Sequence, residues 1–155
     1  MLRKFLLLCV AASFSTNSFA AELEVQFLGA STADLDNPHD LKLSVDGKYL
    51  FVSDVGNNRV VLLNPETLEF VSSFGADHQS GTHDIDFDLD GRAYVADTHN
   101  NRIAIYDIHG INAEFVGQLT EQIRGPEGVL VHPNGIVYVA GAWSNNVVAF
   151  KNGEA

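Results

Sequence analysis

His39, His83 and Glu127 stand at one recurrent position in this chain, each 44 residues after the last. Two imidazoles and a carboxylate form a ligand set found in catalytic zinc centres, where a further coordination position stays open for water or substrate. The same residue types at the entry to a strand can instead pack against and hydrogen-bond a neighbouring loop. The sequence leaves both roles open, and it assigns no catalytic residue.

Other constellations read differently. Asp54 lies five residues before Arg59, and Asp97 five before Arg102. At that spacing a carboxylate can accept backbone N–H bonds at a turn and pair with the arginine across a hairpin, which is a structural role. The stretch "DIDFDLDG" sets Asp86, Asp88, Asp90 and Gly91 in the order of a calcium loop, with Asp97 where the last ligand would fall. Strand-like rather than helical flanks surround it, and Asp86 and Asp88 fit a solvated strand face of period two, so calcium ranks behind zinc as a cofactor. His99 in "THNN" and His132 in "HPNG" belong to turns, and Trp143 to a loop where packing between strands is expected. There is no Gly-x-Ser-x-Gly elbow and no phosphate-binding glycine loop.

The elements that position these residues come from an internal repeat. Three segments align: "PHDLKLSVDGKYLFVSDVGNNRVVLLN", "THDIDFDLDGRAYVADTHNNRIAIYD" and "PEGVLVHPNGIVYVAGAWSNNVVAFKN". Gly47, Gly91 and Gly135 keep the period of 44 at the first turn. Apolar residues alternate over short runs between turn residues, as in half-buried strands. The first repeat reads as strands at 41–45, 49–53, 59–63 and 69–74, and the second as strands at 84–88, 93–96, 102–106 and 114–119. No convincing helix is found after the first twenty residues. Four antiparallel strands per repeat describe a β-propeller blade, so the expected fold is all-β, with three four-stranded blades over repeats at about 38–75, 82–119 and 126–150.

The segment "DGRAYVADTHNNRIAIYD" resembles the NHL repeat, in which Asp-Gly, an aromatic-Val-x-Asp and Asn-Arg recur in that order. The third segment departs from it, with Gly141 where the others have Asp54 and Asp97, and Val147 where they have Arg59 and Arg102, so a looser second hairpin is expected there. Pro38-His39-Asp40-Leu41 and Thr82-His83-Asp84-Ile85 also resemble the zinc-binding segments of peptidyl-α-hydroxyglycine α-amidating lyase, a secreted six-bladed propeller. That resemblance implies zinc at His39 and His83, with Glu127 in the third equivalent place, and the activity of a metal-dependent carbon–nitrogen lyase. No residues match that family's catalytic tyrosine and arginine. The repeat alone implies a binding or interaction module for a protein, peptide or saccharide ligand.

Residues 1–20 have the form of a secretory signal: Arg3 and Lys4, a short apolar run from Phe5, and Ser18-Phe19-Ala20 before the expected cleavage. A secreted or periplasmic location follows, and Cys9, the only cysteine, leaves with the signal. Two positive charges leave as well, so the formal net charge of −11 becomes two units more negative. Nucleic acid and anionic membrane surfaces are poor partners for such a surface. The third repeat has three strands, while "ELEVQFLG" at 22–29 resembles the fourth-strand segment "LEFVSSFG" at 68–75. Residues 22–29 are therefore expected to complete a blade, either in a homodimer that closes a six-bladed ring or within a longer propeller of which this chain is half.

Overall fold

The computed structural model describes residues 24–151. The expected signal at 1–20, Cys9 and the residues after Lys151 lie outside the described residues. Eleven strands form three antiparallel sheets. Blade 1 holds β1 (Pro38–Leu43), β2 (Leu50–Asp54), β3 (Arg59–Leu63) and β4 (Phe70–Phe74). Blade 2 holds β5 (Thr82–Phe87), β6 (Ala93–Asp97), β7 (Arg102–His109) and β8 (Asn112–Leu119), and blade 3 holds β9 (Pro126–Val131), β10 (Ile136–Gly141) and β11 (Asn146–Lys151). In every sheet each strand pairs with its sequence neighbour. The first strands β1, β5 and β9 lie side by side on the inner edge of the arc.

Turn chemistry explains the meander. Gly47, Gly91 and Gly135 adopt φ of +72°, +85° and +83° in the first hairpin of each blade, and Asn58, Asn101 and Asn145 adopt +53° to +54° in the second. Asparagine tolerates this left-handed region because its side chain can bond locally. One 3-10 turn, Thr98–Asn100, is the only helical piece among the described residues.

The blades stack face to face. Phe51, Val60 and Leu62 of blade 1 bury against Ile85, Val95 and Tyr106 of blade 2, and Tyr94, Ile103 and Ile105 of blade 2 bury against Val129, Val139 and Phe150 of blade 3. Each such side chain contributes about 1.5–3 kcal/mol on burial. The far face of blade 1 is covered by its own entering chain, where Ala33 and Leu35 lie over Val52, Val61 and Leu63.

Two expectations are corrected. The first two inner strands begin earlier than the alternation suggests, at Pro38 and Thr82, and the hairpin of β7 and β8 runs on to a His109↔Asn112 pair. The second hairpin of blade 3 is not looser, because β10 and β11 pair in unbroken register from Ile136↔Lys151 to Gly141↔Asn146. Residues 24–29 form no strand within this chain. Ser31 Oγ donates to Leu68 O at 2.9 Å, which ties the entering chain to blade 1 and keeps it at the opposite end of the arc from the three-stranded sheet. Residues 22 and 23 lie outside the described residues.

Candidate functional site on the inner strands

Each inner strand carries a register shift at the same place. It falls between Pro38 and Leu41 on β1 and between Thr82 and Ile85 on β5, and on blade 3 opposite the Ala140–Gly141 step of β10. One extra residue is thus inserted at His39-Asp40, at His83-Asp84 and beside Glu127. Bulges of this kind bend a strand and re-aim a side chain, and they recur beside active sites. Alternation alone could not reveal them, because a bulge breaks the period that identifies the strand.

His39 and His83 come together on neighbouring blades, with ring centroids 4.8 Å apart in an edge-to-face arrangement. His83 Nδ1 lies 2.7 Å from Thr98 Oγ1 and 3.0 Å from Gly81 O. Thr98 Oγ1 itself donates to Pro126 O at 2.6 Å, so its oxygen accepts and Nδ1 carries the proton. That arrangement fixes the tautomer of the neutral ring and leaves Nε2 with its lone pair free. Glu127 is exposed and is not joined to the histidine pair. Among the described residues no group of three His, Cys, Asp or Glu side chains is disposed to hold a metal ion.

The same inner strands carry carboxylates. Asp84 accepts N–H bonds from Ile85 at 2.7 Å and Val129 at 2.6 Å, and Asp86 accepts from Val131 at 2.7 Å, so blade 2 grips the inner strand of blade 3 through two side chains. Burial first, and then the neighbouring Asp40 carboxyl, push the Asp84 carboxyl up to about 7, against the pull of its N–H donors. Asp86 is buried rather than on a solvated face, because Lys42 Nζ of blade 1 covers it at 2.8 Å. The hydrogen bond to Asp86 raises the Lys42 ammonium above its ordinary range.

At the same end of the blades, where β2 and β6 finish opposite Pro38 and Thr82, Asp54 and Asp97 are fully buried hubs. Asp54 accepts from Asp36 N at 2.7 Å, Asn57 Nδ2 at 2.9 Å and Arg59 Nε at 2.8 Å. Asp97 accepts from Ser80 N at 2.7 Å, Asn100 Nδ2 at 2.9 Å and Arg102 Nε at 2.6 Å. The backbone donor in each case belongs to the segment entering the blade rather than to the hairpin turn. Arg59 and Arg102 also reach the carbonyls of Asp34 and His78 in those segments. In blade 3 a neutral network stands in: Ser144 Oγ accepts from Arg124 N at 3.2 Å and donates to Asn146 Oδ1 at 2.6 Å, while Asn146 Nδ2 donates to Gln122 O at 3.0 Å. Gly141 is needed there, since a Cβ would meet Ser144 Oγ at 2.2 Å.

Of the carboxylates in the calcium-loop reading, Asp86, Asp88 and Asp97 accept hydrogen bonds within the protein, and Asp90 is exposed. Asp97 and Asp86 are engaged as described, and Asp88 accepts from the N–H groups of Asp90 and Arg92. His132 is exposed in its turn, where Nδ1 accepts from Asn134 N at 3.1 Å. His99 stacks on Trp143 at 5.8 Å, across blades 2 and 3.

No family model matches the chain, and no curated protein matches it. Solved structures do. One is a candidate 6-phosphogluconolactonase of Bacteroides fragilis, 21% identical with a TM-score of 0.65, over 74% of this chain and 34% of that one. The periplasmic gluconolactonase of Pseudomonas aeruginosa is 17% identical with a TM-score of 0.62, over 74% and 35%. Hydrazine synthase of Kuenenia stuttgartiensis is 20% identical with a TM-score of 0.63, over 84% and 36%. The chain thus spans about a third of the length of the structures it matches. At these identities the likeness establishes the fold, and the three sheets are an arc of a β-propeller.

Proposed function

We propose that the chain is an exported NHL-type propeller module that binds a neutral, hydroxyl-rich ligand of the saccharide class at the inner mouth of the arc, through His39 and His83. The observation that carries this reading is the paired imidazoles on bulged inner strands, with one tautomer fixed by Nδ1 so that Nε2 of His83 is left as an acceptor. Adjacent acceptors and carboxylates suit the hydroxyls of a polyol, and the acidic surface disfavours anions. The similar fold of a periplasmic gluconolactonase makes aldonolactones and short neutral glycans the first probes. Titration calorimetry against that set should show binding that His39→Ala and His83→Ala abolish while circular dichroism stays unchanged. Binding unaffected by both substitutions would refute the assignment.

A second reading, a zinc-dependent lyase of the amidating type, draws support from the same Nδ1 lock, which is how metal-ligating histidines are commonly oriented. The donor set as placed stops at two imidazoles, one short of a catalytic zinc centre, so no reaction step is derived through a metal. Stoichiometric zinc in the purified protein, lost in both alanine variants, would favour this reading. Metal-free protein that binds its ligand would dismiss it.

A further inference from the structure

The two ends of the arc carry complementary halves of the contact that joins its blades. Asn58 Oδ1 accepts the Gly81 N–H at 2.7 Å, and Asn101 Oδ1 accepts the Gly125 N–H at 2.9 Å, so an asparagine at φ +54° in one blade receives the entry residue of the next. Asn145 repeats the asparagine in blade 3 with φ +53°, and its side chain has no donor among the described residues. Asn37 stands at the entry of blade 1 with φ +54°, the conformation of Gly125, and its N–H meets no acceptor among the described residues. Blades 2 and 3 place the rings of His99 and Trp143 against the entry glycines Gly81 and Gly125, whereas at blade 1 the position of those rings is Gly56, which packs against the Asp36 side chain. One end thus presents an acceptor and the other a matching donor.

The surfaces around them agree. Tyr138 and Val147 of blade 3 stand in the register of Phe51 and Val60, and of Tyr94 and Ile103, which bury against the following blade; here Tyr138 is 36% and Val147 72% exposed. A hollow of ≈ 540 Å³ beside them is bounded by Glu127, Asn145 and Asn146. Among the described residues no strand pairs with the outer edge of β11. At the blade 1 end, Val25, Phe27 and Leu28 are 84%, 82% and 90% exposed. Residues 24–29 precede the entry of blade 1 as β4 precedes that of blade 2 and β8 that of blade 3, and Val25 and Phe27 alternate as a strand requires.

We propose that two copies of this chain associate head to tail, residues 24–29 of each adding a strand to β11 of the other while Asn37 N–H of each meets Asn145 Oδ1 of the other. The contact is heterologous, and two such contacts close a six-bladed ring, inside the range of about four to eight blades that propellers use. The added strand also covers the edge of β11, which otherwise can recruit further chains.

Light scattering on the chain carrying Cys9→Ser should return twice its mass of 16.8 kDa. Val147→Arg blocks the receiving end and Phe27→Asp the donating end; both positions are largely exposed, so each variant should fold and run as a monomer. Mixing the two variants leaves one intact contact and should restore a dimer. A monomeric parent chain, an open-ended ladder, variants that remain dimeric, or variants that fail to complement would each overturn the proposal.

Discussion

Blade 3 offers a replacement for the buried carboxylate hub, and transplanting it into blade 2 measures what the charge is worth. Asp97→Gly alone removes a fully buried anion and leaves the Arg102 guanidinium, 16% exposed, without its carboxylate, and the Ser80 N–H without its acceptor. Breaking a buried pair from one side costs about 3–5 kcal/mol. Arg102 keeps Gln118 Oε1, His78 O and the Phe115 ring 5.2 Å away, so the lower part of that range, about 3 kcal/mol, is expected. The triple variant Asp97→Gly, Asn100→Ser, Arg102→Asn recreates the Gly141, Ser144 and Asn146 network at identical spacing. It orphans no charge and exchanges a few charged hydrogen bonds for neutral ones at about 1 kcal/mol each, for a net cost of about 1 kcal/mol. Urea denaturation followed by circular dichroism reads both. With a slope of about 1–3 kcal/mol per molar, the triple variant should recover about 1 M of midpoint relative to the single one. A triple variant no more stable than Asp97→Gly would refute the equivalence of the two networks.

Asp84 should make stability fall as pH rises. Its carboxyl is raised in the folded state from 3.8 to about 7, so the folded protein holds the extra proton between those values, and the contribution present below about pH 4 is lost on the way to pH 7. Asp84→Asn should flatten that slope in urea midpoints taken at pH 4, 5.5 and 7.5. It should gain about 1 kcal/mol at the highest pH, well below the full shift, because the site is partly solvated and the amide loses one of two N–H acceptors. Ser53 carries the only buried side-chain polar atom among the described residues that lacks a partner, and blades 2 and 3 have Ala96 and Ala140 at its position. Ser53→Ala should therefore be neutral or stabilising by up to about 1 kcal/mol by thermal melting, and a clear loss would show that the hydroxyl is satisfied in solution. Asn101→Gly keeps the left-handed conformation but removes the acceptor for Gly125 N–H, and should cost about 1 kcal/mol in the same assay.

The fold was legible because it is written three times. The recurrence of His39 and His83, and of Gly47, Gly91 and Gly135, set the period, and period-two alternation placed the strands to within a few residues. The inner strands were shortened because bulges at His39-Asp40 and His83-Asp84 interrupt alternation where the candidate site lies. The carboxylate pair Asp40 and Asp84 was hidden for a related reason: these residues sit in neighbouring blades, and one repeat gives no measure of the distance to the next. Blade 3 was misjudged because the sequence shows the lost carboxylate at Gly141 but the residue in the place of Arg59 and Arg102 is Asn146, not Val147, and its bond to Gln122 and that of Arg124 N–H to Ser144 appear only in the folded chain. The strand expected at 22–29 illustrates the limit of local pattern: its alternation is present, but a strand needs a neighbour, and in this chain the free edge of β11 lies at the other end of the arc.

Trp143 gives the molecule its own optical gauge. It is the only tryptophan of the chain, it packs over Gly125, where a Cβ would meet the indole at 2.2 Å, and it lies stacked on His99 of the preceding blade. Its emission therefore reports the docking of blade 3 on blade 2, free of signal from any other indole. Protonation of His99 should quench it, and separation of the two blades should shift it to the red before the sheets themselves dissolve.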